Sequence, residues 1–342
     1  MKALIVTKEH QLVLSEELPV PRIGAYEALV KNDCCMICNG TDLGVIEGAI
    51  HEVETYPVVL GHEVAGRVIA VGDKVTYYKI GDLVVRAGHP GTKEIGSAWG
   101  GFSEFGIVKD YQAVKRDKAK VKDASLGITQ QVCPADMKSE DASMLITLKE
   151  TYSAITRIGA GGCQRLAIIG DGPVALAFVS CARLQGVEEI YLFGNHREKL
   201  QAGLRLGADS AVFNKDRNEV EIIRQKLKGN VDFCIDTIGC NTTITQCMDY
   251  IREDGTVAVY GLKNDARLEV PFPTFRNFTI KYVQWPLPDQ EALAHEPVVK
   301  AIMSGKVSAK DFTTHRFSLE EFQKGFQAVR DRKALKVVLY FH

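Results

Sequence analysis

Gly170-Asp171-Gly172-Pro173-Val174-Ala175 is the stretch on which the fold turns. Its pattern is G-x-G-x-x-A. It follows Arg165-Leu166-Ala167-Ile168-Ile169, a short apolar run of strand character, and opens a helical stretch through Cys181 to Leu184. In a strand–turn–helix setting the first glycine permits the tight turn, and the second lets the backbone approach a pyrophosphate. A small third residue lets helix and strand pack closely. Gly170, Gly172, Pro173 and Val174 are thus candidate cofactor-binding residues, with backbone N–H groups at the helix start holding the phosphates. The same turn can be merely structural, but its flanks favour a dinucleotide site.

Downstream, strand and helix patterns keep alternating. Glu189-Ile190-Tyr191-Leu192-Phe193 reads as the next strand, and a helical stretch then runs to Leu206, with Gly207 as the residue that ends it. Phe233-Cys234-Ile235-Asp236 and Thr256-Val257-Ala258-Val259-Tyr260 are further strands. Continuous apolar strands alternating with helices predict an α/β unit with a doubly wound parallel sheet. An NAD site wants an acid at the end of the second strand, roughly 20 residues after the turn, to accept the ribose 2′-hydroxyl. Glu188 and Glu189 have that spacing but precede the strand. At its far end stand Gly194-Asn195-His196-Arg197. Glycine takes the acid's place, and Arg197 with His196 could face a 2′-phosphate. This predicts NADP in preference to NAD, against the alternative that Arg197 is a solvated charge.

Residues before about 150 are patterned differently. Glycine-punctuated β runs, such as Glu63 to Val71 and Phe105 to Val108, describe a barrel-like β unit. The last 50 or so residues are mixed, with a helix from Leu319 or Glu320 to about Arg330, capped by Ser318 and Glu321, and a strand Lys336-Val337-Val338-Leu339-Tyr340.

The chain of 342 residues suits about two domains at roughly 150 residues each. Its 46% hydrophobic and 25% charged residues are those of a globular protein. With 42 basic and 43 acidic side chains, it lacks the cationic excess that nucleic acid or an anionic membrane surface would need. No apolar run approaches a membrane span, and the first residues read as a strand rather than a leader, so the expectation is a cytoplasmic protein. Nine scattered cysteines then read as reduced thiols.

One of those thiols stands out. Cys38-Asn39-Gly40-Thr41-Asp42 and Gly61-His62-Glu63 offer a thiolate, an imidazole and a carboxylate, which are plausible zinc ligands. They are 24 and 25 residues apart, so only folding can bring them together.

These segments together resemble a medium-chain, zinc-dependent alcohol or polyol dehydrogenase. The resemblance spans nearly the whole chain and rests on Cys38 to Asp42, Gly61 to Val68, Val71-Gly72, Gly81-Asp82, Gly101 to Phe105, Gly170 to Ala175, Leu206 to Asp209 and Lys336 to Val338. It implies a GroES-like β-barrel catalytic domain over residues 1–154, a Rossmann domain over 155–288, and a return to the catalytic domain over 289–342. It further implies Gly239 near the nucleotide, Gly261 and Leu262 near the nicotinamide, and Lys336 near the pyrophosphate. Paired edge strands in such proteins imply a homodimer or homotetramer through Phe278 to Trp285.

Three departures matter. Arg86 to Gly101 contains no cysteine, so one catalytic zinc and no structural zinc are expected. The usual Cys-Gly-Thr/Ser-Asp carries one extra residue here. The position before the Rossmann domain that usually supplies another ligand holds Ile146 and Thr147, which leaves Glu150, one helical turn on, as the candidate ligand.

The chemistry implied is hydride transfer between the nicotinamide and a polyol, sugar or small secondary alcohol, with zinc polarising the substrate oxygen. Thr41 is the candidate proton-relay hydroxyl. Glu63 is a ligand, an intermittent ligand, or a carboxylate behind the ligands. His51, His89 and Trp99 are candidates for the rim of the substrate cleft, although such isolated residues are more often structural. Two alternatives stand beside this reading: a metal-free quinone- or enoyl-type reductase on the same fold, and a non-catalytic nucleotide-binding relative.

Overall fold

The computed structural model describes every residue except 51, 264–266, 271–276 and 342. The chain forms two compact units, Met1–Ile146 with His295–His342, and Thr147–Ala294. The first boundary falls inside a single helix, Ser139–Ile158.

The first unit is built on one long strand, Glu27–Met36, which pairs antiparallel with Glu63–Val71, Phe105–Lys109 and Lys336–Tyr340. The last of these pairings explains why the final residues belong with the first: Val338 lies opposite Met36 and Leu339 opposite Cys35. Lys336–Tyr340 is buried along nearly its whole length, and Val337 and Leu339 join Leu4, Val64, Phe102 and Phe326 in one core. Burying each such side chain contributes roughly 1.5–3 kcal/mol. The Ser318–Glu321 capping box forms over a short 3-10 turn, and the helix proper follows at Phe322–Arg330.

The second unit is a six-stranded, wholly parallel sheet. Its spatial order is Ser210–Phe213, Glu189–Gly194, Arg165–Ile169, Val231–Asp236, Ile251–Val259, Phe278–Tyr282. Strand order reverses between Arg165–Ile169 and Val231–Asp236. In open parallel sheets, ligands bind outside the carboxyl ends of the strands at such a switch. Arg165–Ile169 is buried on both faces, as its unbroken apolar run demands. Phe278–Tyr282 is an edge strand, with Tyr282 57% exposed. No helix among the described residues is long and apolar enough to cross a membrane.

Candidate metal centre

The strand Glu27–Met36 delivers the chain into the loop that carries Cys38. There Asp42 folds back, and its Oδ2 accepts the Cys38 backbone N–H at 2.8 Å. The Asp42 N–H donates in turn to the Cys38 carbonyl at 3.1 Å. This reciprocal pair absorbs the extra residue, and the helix Thr41–Ile46 starts within it. Thr41 is buried beside Asp42 in the first turn.

His62 and Glu63 arrive from the other side. Gly61 has φ +104°, and a Cβ there would lie 2.5 Å from the Phe102 ring and 2.7 Å from its backbone nitrogen. Only glycine lets this loop lie so close to Phe102. The next two residues, both buried, thus enter the centre at the head of Glu63–Val71. One candidate ligand atom each from Cys38, His62 and Glu63 lies within 4.8 Å of the others. A soft thiolate, an imidazole and a carboxylate so gathered fit zinc.

Two further residues, which the sequence did not single out for these roles, complete the electrostatics. Asp42 Oδ1 lies 3.3 Å from His62 Nδ1, a charge contact without good hydrogen-bond alignment. A carboxylate behind the far nitrogen of a histidine is the usual support of a metal-binding imidazole. Burial opposes charging the His62 ring, but Asp42 and Cys38 outweigh it and hold the pKa well above the ordinary value in the absence of metal. Lys336 is the second. Its Nζ donates to both oxygens of Glu63 at 2.6 and 2.5 Å, and both side chains are buried. Burial works against the charged amine, but Glu63 and Cys38 raise its pKa overall. The resemblance implied a pyrophosphate contact for Lys336; the amine is instead committed to Glu63.

Glu150 belongs to the second unit, where Tyr260 Oη donates to its Oε2 at 3.5 Å. His89 is a structural histidine. Its Nε2 stands 3.0 Å from the Pro19 carbonyl and its Nδ1 accepts the Gly91 N–H at 3.0 Å. Trp99 packs on the His62 ring with centroids 5.4 Å apart. His51 lies outside the described residues. No cysteine is disulfide-bonded, and burial pushes thiols such as Cys35 and Cys181 up, the latter to about 12.

In the second unit the glycine-rich turn has the expected form. Gly170 has φ +126°, and a Cβ on it would meet Thr237 Oγ1 at 2.1 Å. Gly172 caps the helix Pro173–Leu184, and among the described residues, its two chain neighbours apart, no atom lies within 4 Å of where its Cβ would stand. Val174 follows in the first turn. Past the switch, Gly239 and Gly261 cross so closely that a Cβ on Gly261 would lie 2.1 Å from the Ile238 carbonyl carbon. Leu262 follows directly.

At the end of the second strand the picture is less simple. Arg197 lies over the Phe213 ring at 4.3 Å and pairs with Asp216 at 3.6 Å and Glu219 at 3.8 Å. Asp171 reaches across from the glycine-rich turn. Its Oδ2 accepts the backbone N–H groups of Asn195 and His196 at 2.6 and 2.8 Å, and stands 3.0 Å from His196 Nδ1.

Two family models match the chain: the alcohol dehydrogenase GroES-like domain over residues 24–119, and the zinc-binding dehydrogenase model over residues 173–296. Among curated relatives, a sorbitol dehydrogenase of Halalkalibacterium halodurans is 26% identical over 99% of both chains. An L-threonine 3-dehydrogenase of Francisella tularensis subsp. novicida is 26% identical, again over 99% of both. The alcohol dehydrogenase TADH from Thermus sp. ATN1 shares the fold with a TM-score of 0.82, at 22% identity and 100% coverage of both chains.

Proposed function

Because the chain belongs to the medium-chain, zinc-dependent alcohol and polyol dehydrogenase family, we propose that it moves a hydride between a nicotinamide dinucleotide and a polyol, sugar or small secondary alcohol, or the matching ketone. The convergence of Cys38, His62 and Glu63 carries this reading. The names of the relatives, which point to sorbitol and to carbon 3 of L-threonine, support hydroxyl-bearing substrates.

When bound, zinc supplies Lewis acidity toward the substrate oxygen, and the nicotinamide takes or gives the hydride. Cys38, His62 and Glu63 hold one ion per chain. Glu150, which stands outside that gathered set, is not needed as a ligand. Asp42 orients His62 through Nδ1, and Lys336 fixes the rotamer of Glu63. Thr41 Oγ1 would accept the proton of a substrate hydroxyl as its own proton leaves to water, since a hydroxyl both accepts and donates. At the helix start the backbone N–H groups of Gly172 and Val174 receive the pyrophosphate, with Pro173, which has no N–H, setting the first turn; Gly239 borders the nucleotide, and Gly261 and Leu262 the nicotinamide.

For the coenzyme, an NADP preference follows if Arg197 and His196 face a 2′-phosphate. The ion pairs of Arg197 with Asp216 and Glu219 favour a second reading, NAD(H), because its charge is already largely offset. The metal-free alternative loses ground to the gathered thiol, imidazole and carboxylate, which such a reductase does not need.

A panel of polyols, sugars and secondary alcohols with NAD and NADP, followed by nicotinamide absorbance, tests the reading. Turnover of at least one hydroxyl substrate is expected, and it should stop on chelation and return with zinc. Full turnover by a verified metal-free enzyme would refute the mechanism.

A homodimer is also proposed, formed through the edge strand Phe278–Tyr282. Exposed Tyr282, Trp285 and Leu287 lie along and just after that strand. Pairing would remove an open edge. Sedimentation at micromolar concentration should give at least twice the monomer mass; a monomer rejects it.

A further inference from the structure

Within the nucleotide-binding reading, one acid remains without a role. The second strand ends in Gly194, where an acid for the ribose is expected and missing. A Cβ built on Gly194 would lie 2.5 Å from Asp171 Cβ, 2.5 Å from its Oδ2 and 2.8 Å from its Cγ. These are the three nearest atoms, so the side chain of Asp171 fills the space that a side chain at position 194 would enter. The carboxylate stands where the missing acid would stand, but is delivered from the turn after the first strand.

We infer that Asp171 is the specificity-determining acid of the nucleotide site: it takes the place of the absent strand-end acid and selects a free ribose 2′-hydroxyl over a 2′-phosphate. The hydrogen bonding suits the task. Oδ2 takes the Asn195 and His196 amides, which fixes the carboxylate. Among the described residues, Oδ1 meets His196 Nδ1 alone, at 3.2 Å. A carboxylate oxygen accepts about two hydrogen bonds, so Oδ1 retains capacity for a hydroxyl. The side chain is 12% exposed, held but not sealed.

The surrounding charge points the same way. A 2′-phosphate would meet Asp171 itself, and the guanidinium of Arg197 is shared between Asp216 and Glu219 and laid over Phe213. Like charges at such range disfavour the phosphate, whereas a diol meets an anionic acceptor and a charge-assisted hydrogen bond. The signal in the sequence was the Asp of Gly-Asp-Gly, which spacing from the turn could not connect to position 194.

Titration calorimetry of the full chain with ADP-ribose and with 2′-phospho-ADP-ribose tests this without turnover. The native protein should bind ADP-ribose the more tightly. Asp171→Asn should weaken ADP-ribose by roughly ten-fold or more and narrow or invert the ratio. The exchange Asp171→Gly with Gly194→Asp clears the space and returns the acid to the strand end. It should restore the native ratio, and it keeps the test decisive if the single variant folds poorly. Tighter binding of the 2′-phosphorylated ligand by the native protein, or a ratio unmoved by Asp171→Asn, overturns the inference while leaving nucleotide binding intact. Binding of neither ligand by the native protein removes both the inference and the reading beneath it.

Discussion

Replacing Cys38 with serine is expected to empty the metal centre and lower kcat/KM by at least about a thousand-fold. A Lewis acid at the reacting oxygen is worth several kcal/mol, and each 1.36 kcal/mol is about ten-fold in rate. Serine keeps the size of the side chain but offers a poorly ionised hydroxyl where zinc prefers thiolate. Cys38 is one of three gathered candidate ligands, so its loss would leave an imidazole and a carboxylate that is already paired with Lys336. Metal analysis should fall from about one zinc per chain to near none, and nucleotide binding should persist because the glycine-rich turn belongs to the other unit. Asp42→Asn should be graded. It keeps the bulk behind His62 and removes the charge, so zinc affinity should drop by roughly 10–100-fold. Native zinc content and turnover in Cys38→Ser would show that the metal is not held here.

Lys336→Met should destabilise the metal-free protein by about 3–5 kcal/mol. Lys336 and Glu63 are both buried, and removing the amine takes from the carboxylate its nearest counter-charge in a low-dielectric core. Methionine fills most of the lysine volume, so the loss reports charge rather than packing. The thermal midpoint of the chelated protein should fall by several degrees. Adding Glu63→Gln removes the orphaned charge and should recover most of the loss, since replacing both members of a buried pair is often nearly neutral. Equal midpoints for native protein and Lys336→Met would mean that the pair carries no net stability.

The sequence made some parts of this molecule plain and hid others for physical reasons. Arg165–Ile169, its turn and its helix were visible because short-range rules govern all three: a buried parallel strand, a φ-positive glycine and a helix start. Ser210–Phe213 was missed, being a four-residue edge strand too short to show a period of its own. The division of the chain at Ile146 falls inside a helix, where no turn residue marks a boundary in the sequence. Cys38, His62 and Glu63 could be proposed as a set from their ligand chemistry. Asp42 and Lys336 could not be assigned their places, since their roles depend on where other side chains end up. Lys336 lies 273 residues from Glu63, and no periodicity links positions so far apart. Asp171 shows the same limit at short range: its partner at position 194 is a neighbour only once two parallel strands lie side by side.

The strand Lys336–Tyr340 has a consequence for biosynthesis. It completes the sheet of the first unit, yet follows the whole of the second unit in chain order. As the chain emerges during translation, the parallel sheet of the second unit can form while the earlier β unit still lacks the strand that pairs with Glu27–Met36. Until that strand arrives, Glu63 lacks the amine that offsets its charge. Domains tend to fold as units, earlier ones first. Here that order would be inverted, and the candidate ligand Glu63 would gain its buried counter-charge only after the second unit has been made.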